Sequence, residues 1–76
     1  MIENAINYMK EHISYSDDSI NRMICDSMEQ RIPVGMLYPS LKDEIEDLLD
    51  DFSQDNDLDE EWWSINYDID TITEML

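Results

Sequence analysis

The chain has 76 residues, with 20 Asp+Glu against 4 Lys+Arg, a formal net charge of −16 and an isoelectric point near 4.1. So short a chain buries only about 60% of the surface it exposes when unfolded, which supports one hydrophobic core and disfavours a deep enclosed active site. The charge disfavours direct binding to nucleic acid or to an anionic membrane, because that affinity comes from cationic groups. Any charged partner is expected to be basic.

Hydrophobic residues at 42% and seven aromatics (Tyr8, Tyr15, Tyr38, Phe52, Trp62, Trp63 and Tyr67) separate the chain from a disordered acidic tail. One Gly and two Pro leave few tight turns, so the expected fold is mainly all-α, a small bundle of about four helices in a single domain over 1–76. A single cysteine, Cys25, allows no internal disulfide and suits a reducing compartment. With no basic leader segment and no apolar run of ~20 residues, the chain reads as soluble and cytoplasmic.

Along the chain, Ile2, Ile6, Met9 and Ile13 recur at intervals of 4, 3 and 4, which predicts an amphipathic helix over about residues 2–13. Ser14 to Asp18 supply cap-forming side chains. Ile20, Met23, Ile24 and Met28 then resume the period, giving a second helix from about Asp18 to Arg31. Pro33 breaks it, since it lacks an amide donor and pushes Ile32 toward extended backbone. Val34 to Tyr38 is a short apolar segment, either a helical turn or an extended plug for the core. Ser40 with Asp43 resembles a capping box, and Leu41, Ile45, Leu48, Leu49 and Phe52 form an apolar stripe that predicts a third helix over about 41–52.

Asp57 with Glu60 offers a second capping box, and Leu58, Trp62, Ile65, Ile69, Ile72 and Leu76 recur at 4, 3, 4, 3 and 4, which predicts a fourth helix. The same stretch alternates Trp63, Ile65, Tyr67, Ile69 and Thr71 with polar residues, a strand signal. Helix is preferred because no second alternating run exists to pair with a strand. Trp62 fits the stripe and is assigned to the core; its neighbour Trp63 is either core or an exposed anchor.

The charge is unevenly distributed. Residues 1–42 hold all four bases and six acids, net −2, whereas residues 43–76 hold fourteen acids and no base, net −14. Asp43, Glu44, Glu46, Asp47, Asp50 and Asp51 occupy the flanks of the predicted third helix, and Asp55, Asp57, Asp59, Glu60 and Glu61 continue the run. Like charges at i, i+4 destabilise a helix by about 0.2–0.5 kcal/mol per pair, and no base offsets them here. A solvated, solubilising face is one reading of the run. The other is imitation of nucleic acid, since duplex DNA presents one phosphate per ~1.7 Å of axis.

Other chemistries fit poorly. Asp55, Asp57 and Asp59 match the first positions of a calcium-binding loop, but Glu60 stands where Gly is needed and Asn66 where a bidentate Glu is needed. One His, His12, and one Cys, Cys25, cannot make a four-ligand zinc site. Cys25 reads as a small buried hydrophobe and the six methionines as core filler. No catalytic residues, metal or cofactor are expected.

The stretch Tyr8-Met9-Lys10-Glu11-His12-Ile13-Ser14-Tyr15-Ser16-Asp17-Asp18, followed by Ile24, Cys25, Asp26, Ile32, Pro33 and Tyr38, resembles the N-terminal half of the Ocr-type phage antirestriction proteins, over about residues 5 to 45. The resemblance implies a helical, acidic DNA mimic that blocks the DNA-binding groove of a host defence enzyme such as a Type I restriction complex; anti-CRISPR inhibitors include mimics of the same kind. The present chain is shorter and lacks that family's strongly acidic C-terminal tail. Its dimer interface is therefore not placed here, and a homodimer is left open.

Together these readings predict a non-enzymatic inhibitor that presents carboxylates to the basic groove of a nucleic-acid-binding protein. The expected contact residues are the acids named from Asp43 to Glu61, with Asp68 and Asp70, and Trp63 or Tyr67 as apolar anchors. An immunity- or antitoxin-type protein, or an acidic adaptor that docks on one basic protein, is the alternative.

Overall fold

The computed structural model describes residues 2–59 and 61–76 and contains five helices, with no strand among the described residues: α1 Ile2–His12, α2 Asp17–Gln30, α3 Val34–Leu37, α4 Pro39–Asp55 and α5 Ile69–Met75. The mainly all-α expectation holds, and the strand alternative for the C-terminal stretch has no support. α4 is the axis of the fold. Its 17 residues span about 25 Å at 1.5 Å per residue, in a molecule with extents of 38 × 24 × 19 Å. α1 packs on α4, while α3 contacts α2, α4 and α5. One core joins Ala5, Ile6 and Met9 of α1 to Leu41, Ile45, Leu49 and Phe52 of α4, closed by Val34 and Ile72.

The first two helices start and stop close to their predicted ends, for visible reasons. Ser16 caps α2, its Oγ accepting from the Ser19 N–H at 3.1 Å. Arg31 turns left-handed (φ 56°) at the end of α2, and Ile32 N–H reaches back to Ser27 O at 3.2 Å. Val34–Leu37 resolves the open choice as one helical turn.

The start of α4 departs from expectation. The helix begins at Pro39, where the missing N–H costs nothing, and Tyr38 at the N-cap makes no side-chain cap bond. Ser40 is not part of a capping box; its Oγ pairs with the Tyr15 hydroxyl at 3.0 Å.

The larger correction concerns residues 57–76. Asp57 caps no helix start; it takes a left-handed conformation (φ 57°) and ends α4. Leu58 N–H bonds Ser53 O at 2.8 Å and Asp57 N–H bonds Gln54 O at 3.3 Å, the paired bonds of a Schellman stop. Residues 61–66 then form successive turns rather than a helix. Helix resumes only at α5, where Asp68 Oδ1 accepts from Thr71 N–H at 2.8 Å. Glu60, the second half of the expected capping box, lies outside the described residues. Because the 61–66 turns break the 3.6-residue period, Ile65 is 83% exposed rather than in the apolar stripe.

Two further expectations fail. Cys25 of α2 is exposed, and of the methionines expected as core filler, Met28 of α2 and Met36 of α3 are 70% and 73% exposed. For α2 the cause is position: it contacts only α3 and α5 to any extent, and Ile20 is its one buried residue.

Candidate functional site

Around α4, the buried residues Leu41, Ile45, Leu49 and Phe52 define the inward side. Asp43, Asp47 and Asp50 fall on the opposite side at 100° per residue and are all exposed. Their axial separations are about 6 and 4.5 Å. The uncharged Gln54 ends this row.

Two flanks widen it. On the α1 side stand Glu44, Asp51 and Asp55. Asp51 and Asp55 are exposed; their charges, after burial, help hold the Tyr8 phenol above its usual pKa. Glu44 is committed elsewhere, since its carboxylate accepts from Ser14 N–H at 2.6 Å and Ser14 Oγ at 2.8 Å, tying the α1–α2 turn to α4. On the other flank, Glu46 and Asp50 line a shallow groove with Glu61, Trp63 and Ser64. The turn segment thus brings Glu61 to the acids of α4, although the residues are more than ten apart in sequence.

Trp62 fixes this segment. Its indole N–H donates to the buried Ser53 Oγ at 2.8 Å, and its ring lies 6.0 Å from that of Phe52, tilted by 43°. Assignment of Trp62 to the core-facing side therefore holds. Trp63 is half-buried, and its Nε1 is buried without an acceptor among the described residues. Tyr67 is half-buried as well. Both pack against the core, so neither stands out as a free anchor; the exposed apolar side chain of this region is Ile65.

The remaining predicted site residues divide by role. Asp57 and Asp59 are exposed in the connection after α4. Asp68 is the N-cap of α5; its hydrogen bonds to Thr71 hold its carboxyl below the usual carboxylate range. Asp70 is half-buried and accepts from Gly35 N–H at 3.2 Å. Glu44, Asp68 and Asp70 thus have structural partners that spacing alone does not reveal. The same holds for Asp26, which accepts from the Tyr38 hydroxyl at 2.7 Å and raises that phenol's pKa.

The exposed acids are spread along a surface. Among the described residues no three His, Cys, Asp or Glu side chains converge as a metal-binding set, and none of the described helices is long and apolar enough to cross a membrane. No protein-family model matches the chain, and no curated protein or solved structure is detectably similar to it.

Proposed function

We propose that this chain occludes a basic nucleic-acid-binding groove, its carboxylates taking the place of phosphates, and that it serves as a phage-type inhibitor of a host defence nuclease complex of the restriction or CRISPR kind. The observation that carries this reading is the unopposed outward face of α4. Asp43, Asp47 and Asp50 run along it, widened by Asp51 and Asp55 on one flank and by Glu46 and Glu61 on the other. A coat that only solubilises has no need to concentrate −14 in residues 43–76 or to repel itself along one helix. A surface that weakens its own helix is better explained by a partner that neutralises it.

Inhibition by occupancy requires no chemical step. Association should be fast and salt-sensitive, because long-range attraction governs encounter. The test is binding of the wild-type chain and an Asp47→Lys/Asp50→Lys double variant to purified Type I restriction and CRISPR effector complexes across a salt series. The expected result is affinity that falls with salt and drops by about tenfold or more in the double variant, the scale of losing close interfacial charge pairs. Binding that ignores both salt and charge reversal would overturn the reading.

A further inference from the structure

Among the described residues, Ile65 is the most exposed of the large hydrophobics, at 83%, and it sits apart from the others, which belong to α2, α3, α5 and the turn between α2 and α3. A lone exposed apolar side chain is ordinary on a protein surface; its neighbours make this one different. Ile65 and the half-buried Trp62 line a groove with Asp59 and Glu61. A second groove adjoins it through the same Glu61 and Ser64, and there Trp63 lies with Glu46 and Asp50. Apolar side chains are thus interspersed with carboxylates across the turns, and residues 43–76 contain no Lys or Arg.

The turns also hold Ile65 in place. Ser64 N–H donates to Glu61 O at 3.0 Å, Ser64 Oγ to the same oxygen at 2.8 Å, and Tyr67 N–H to Trp63 O at 3.0 Å, while the Trp62 indole is tethered to Ser53. A β-branched side chain on a fixed backbone has few rotamers to lose, so a partner covers it at little entropic cost. Turns favour Ser, Asn, Asp and Gly, and a side chain this exposed adds almost nothing to the core. Neither turn chemistry nor packing accounts for an Ile at this position.

We infer that Ile65 is the apolar anchor of the acidic surface, and that its occupant is a basic protein segment carrying an apolar side chain between its cations. Charge complementarity selects the cations, since Asp59 and Glu61 share the groove of Ile65 and Glu46 and Asp50 share the next one. An indole beside a carboxylate suits a guanidinium or an ammonium group. The apolar contact is one that a phosphate backbone does not make, so it lies beyond the imitation of nucleic acid. From the function proposed above the inference takes only that the partner is a basic protein.

The test uses two synthetic peptides of equal positive charge and without tryptophan, one with Leu and one with Ser between its lysines. Each is titrated into the full chain while the emission of Trp62 and Trp63 is followed. The wild type should bind the Leu peptide about tenfold or more tighter than the Ser peptide, the scale of burying one large apolar side chain. That preference should persist in high salt, where screening releases the Ser peptide. Ile65→Ser should abolish it with unchanged far-UV circular dichroism, and Ile65→Leu should keep it. Met36→Ala, outside both grooves, should leave both affinities as they are. In calorimetry the Leu peptide should give a more negative heat-capacity change with the wild type than with Ile65→Ser, the mark of apolar burial. Equal affinities for the two peptides, or a Leu preference that survives Ile65→Ser, would overturn the inference. Neither result touches the nuclease reading, which stands or falls on the effector complexes.

Discussion

Replacing Ser53 by Ala removes the acceptor for the Trp62 indole N–H, which donates to Ser53 Oγ at 2.8 Å. Ser53 is fully buried and Trp62 half-buried, and an Ala methyl offers the indole N–H no acceptor. A buried donor stranded in this way costs about 1–3 kcal/mol, against a total stability of about 4–11 kcal/mol for a domain of this length. Since each kcal/mol moves the midpoint of a small domain by about 4–8 °C, Ser53→Ala should lower Tm by roughly 4–24 °C. In a Trp62→Phe background there is no indole to strand, so the second substitution should cost less, with a coupling energy of about 1 kcal/mol. Trp63→Phe is the internal control. Its Nε1 has no acceptor among the described residues, so losing that N–H forfeits no bond, and the cost should fall below that of Trp62→Phe. Thermal and urea melts followed by far-UV circular dichroism give all the values. Substitutions at Ser53 and Trp62 that add to within about 0.3–0.5 kcal/mol, or a Trp63→Phe cost equal to that of Trp62→Phe, would refute the assignment of Trp62 as the tether of the 61–66 turns.

Other expectations test the corrected C-terminal region. Ile45→Ala, at a fully buried position, should cost about 2–5 kcal/mol, whereas Ile65→Ala should stay within about 0.5 kcal/mol; similar urea midpoints would return Ile65 to the core. Asp57→Gly should be neutral or stabilising by about 1 kcal/mol or less, because a left-handed residue at φ 57° suits Gly better than Asp, while Asp57→Val should destabilise the chain. The Asp68 carboxyl titrates below its unfolded value, so its contribution is fully present above the unfolded pKa and is lost as pH falls through the folded one. Protection of the α5 amides, measured against their intrinsic exchange rates at each pH, should fall in that acid range, and Asp68→Ala should remove this pH dependence.

Legibility of the sequence followed the strength of local signals. α1 and α2 were readable because their apolar periods end at residues that stop helices, and α4 because five apolar residues share one face. At the start of α4 the Ser40–Asp43 spacing points to a cap one residue too late, whereas Pro39 is well suited to the first helical position and occupies it. The 58–76 stretch failed for a stronger reason. A period of 4, 3, 4, 3, 4 runs from Leu58 to Leu76, but residues 61–66 form successive turns that no local residue marks as plainly as a Gly or Pro would, and helix resumes only at Ile69. Helix resumes where Asp68 accepts from the Thr71 backbone N–H and caps α5, a start the apolar period does not show. At the candidate site, the acidic face of α4 follows from spacing alone. The placement of Glu61 beside Glu46 and Asp50 does not, because it depends on the turns and on the Trp62 tether. Nor does spacing show that Glu44 and Asp70 are bonded to Ser14 and Gly35.

The central claim is that the α4 face occupies the place of nucleic acid, and competition tests it most directly. A purified restriction or CRISPR effector complex bound to the labelled chain is titrated with unlabelled duplex DNA unrelated in sequence. The account predicts full displacement by the duplex, with the Asp47→Lys/Asp50→Lys variant displaced at lower DNA concentration. Retention of the chain on its target at saturating duplex would contradict it.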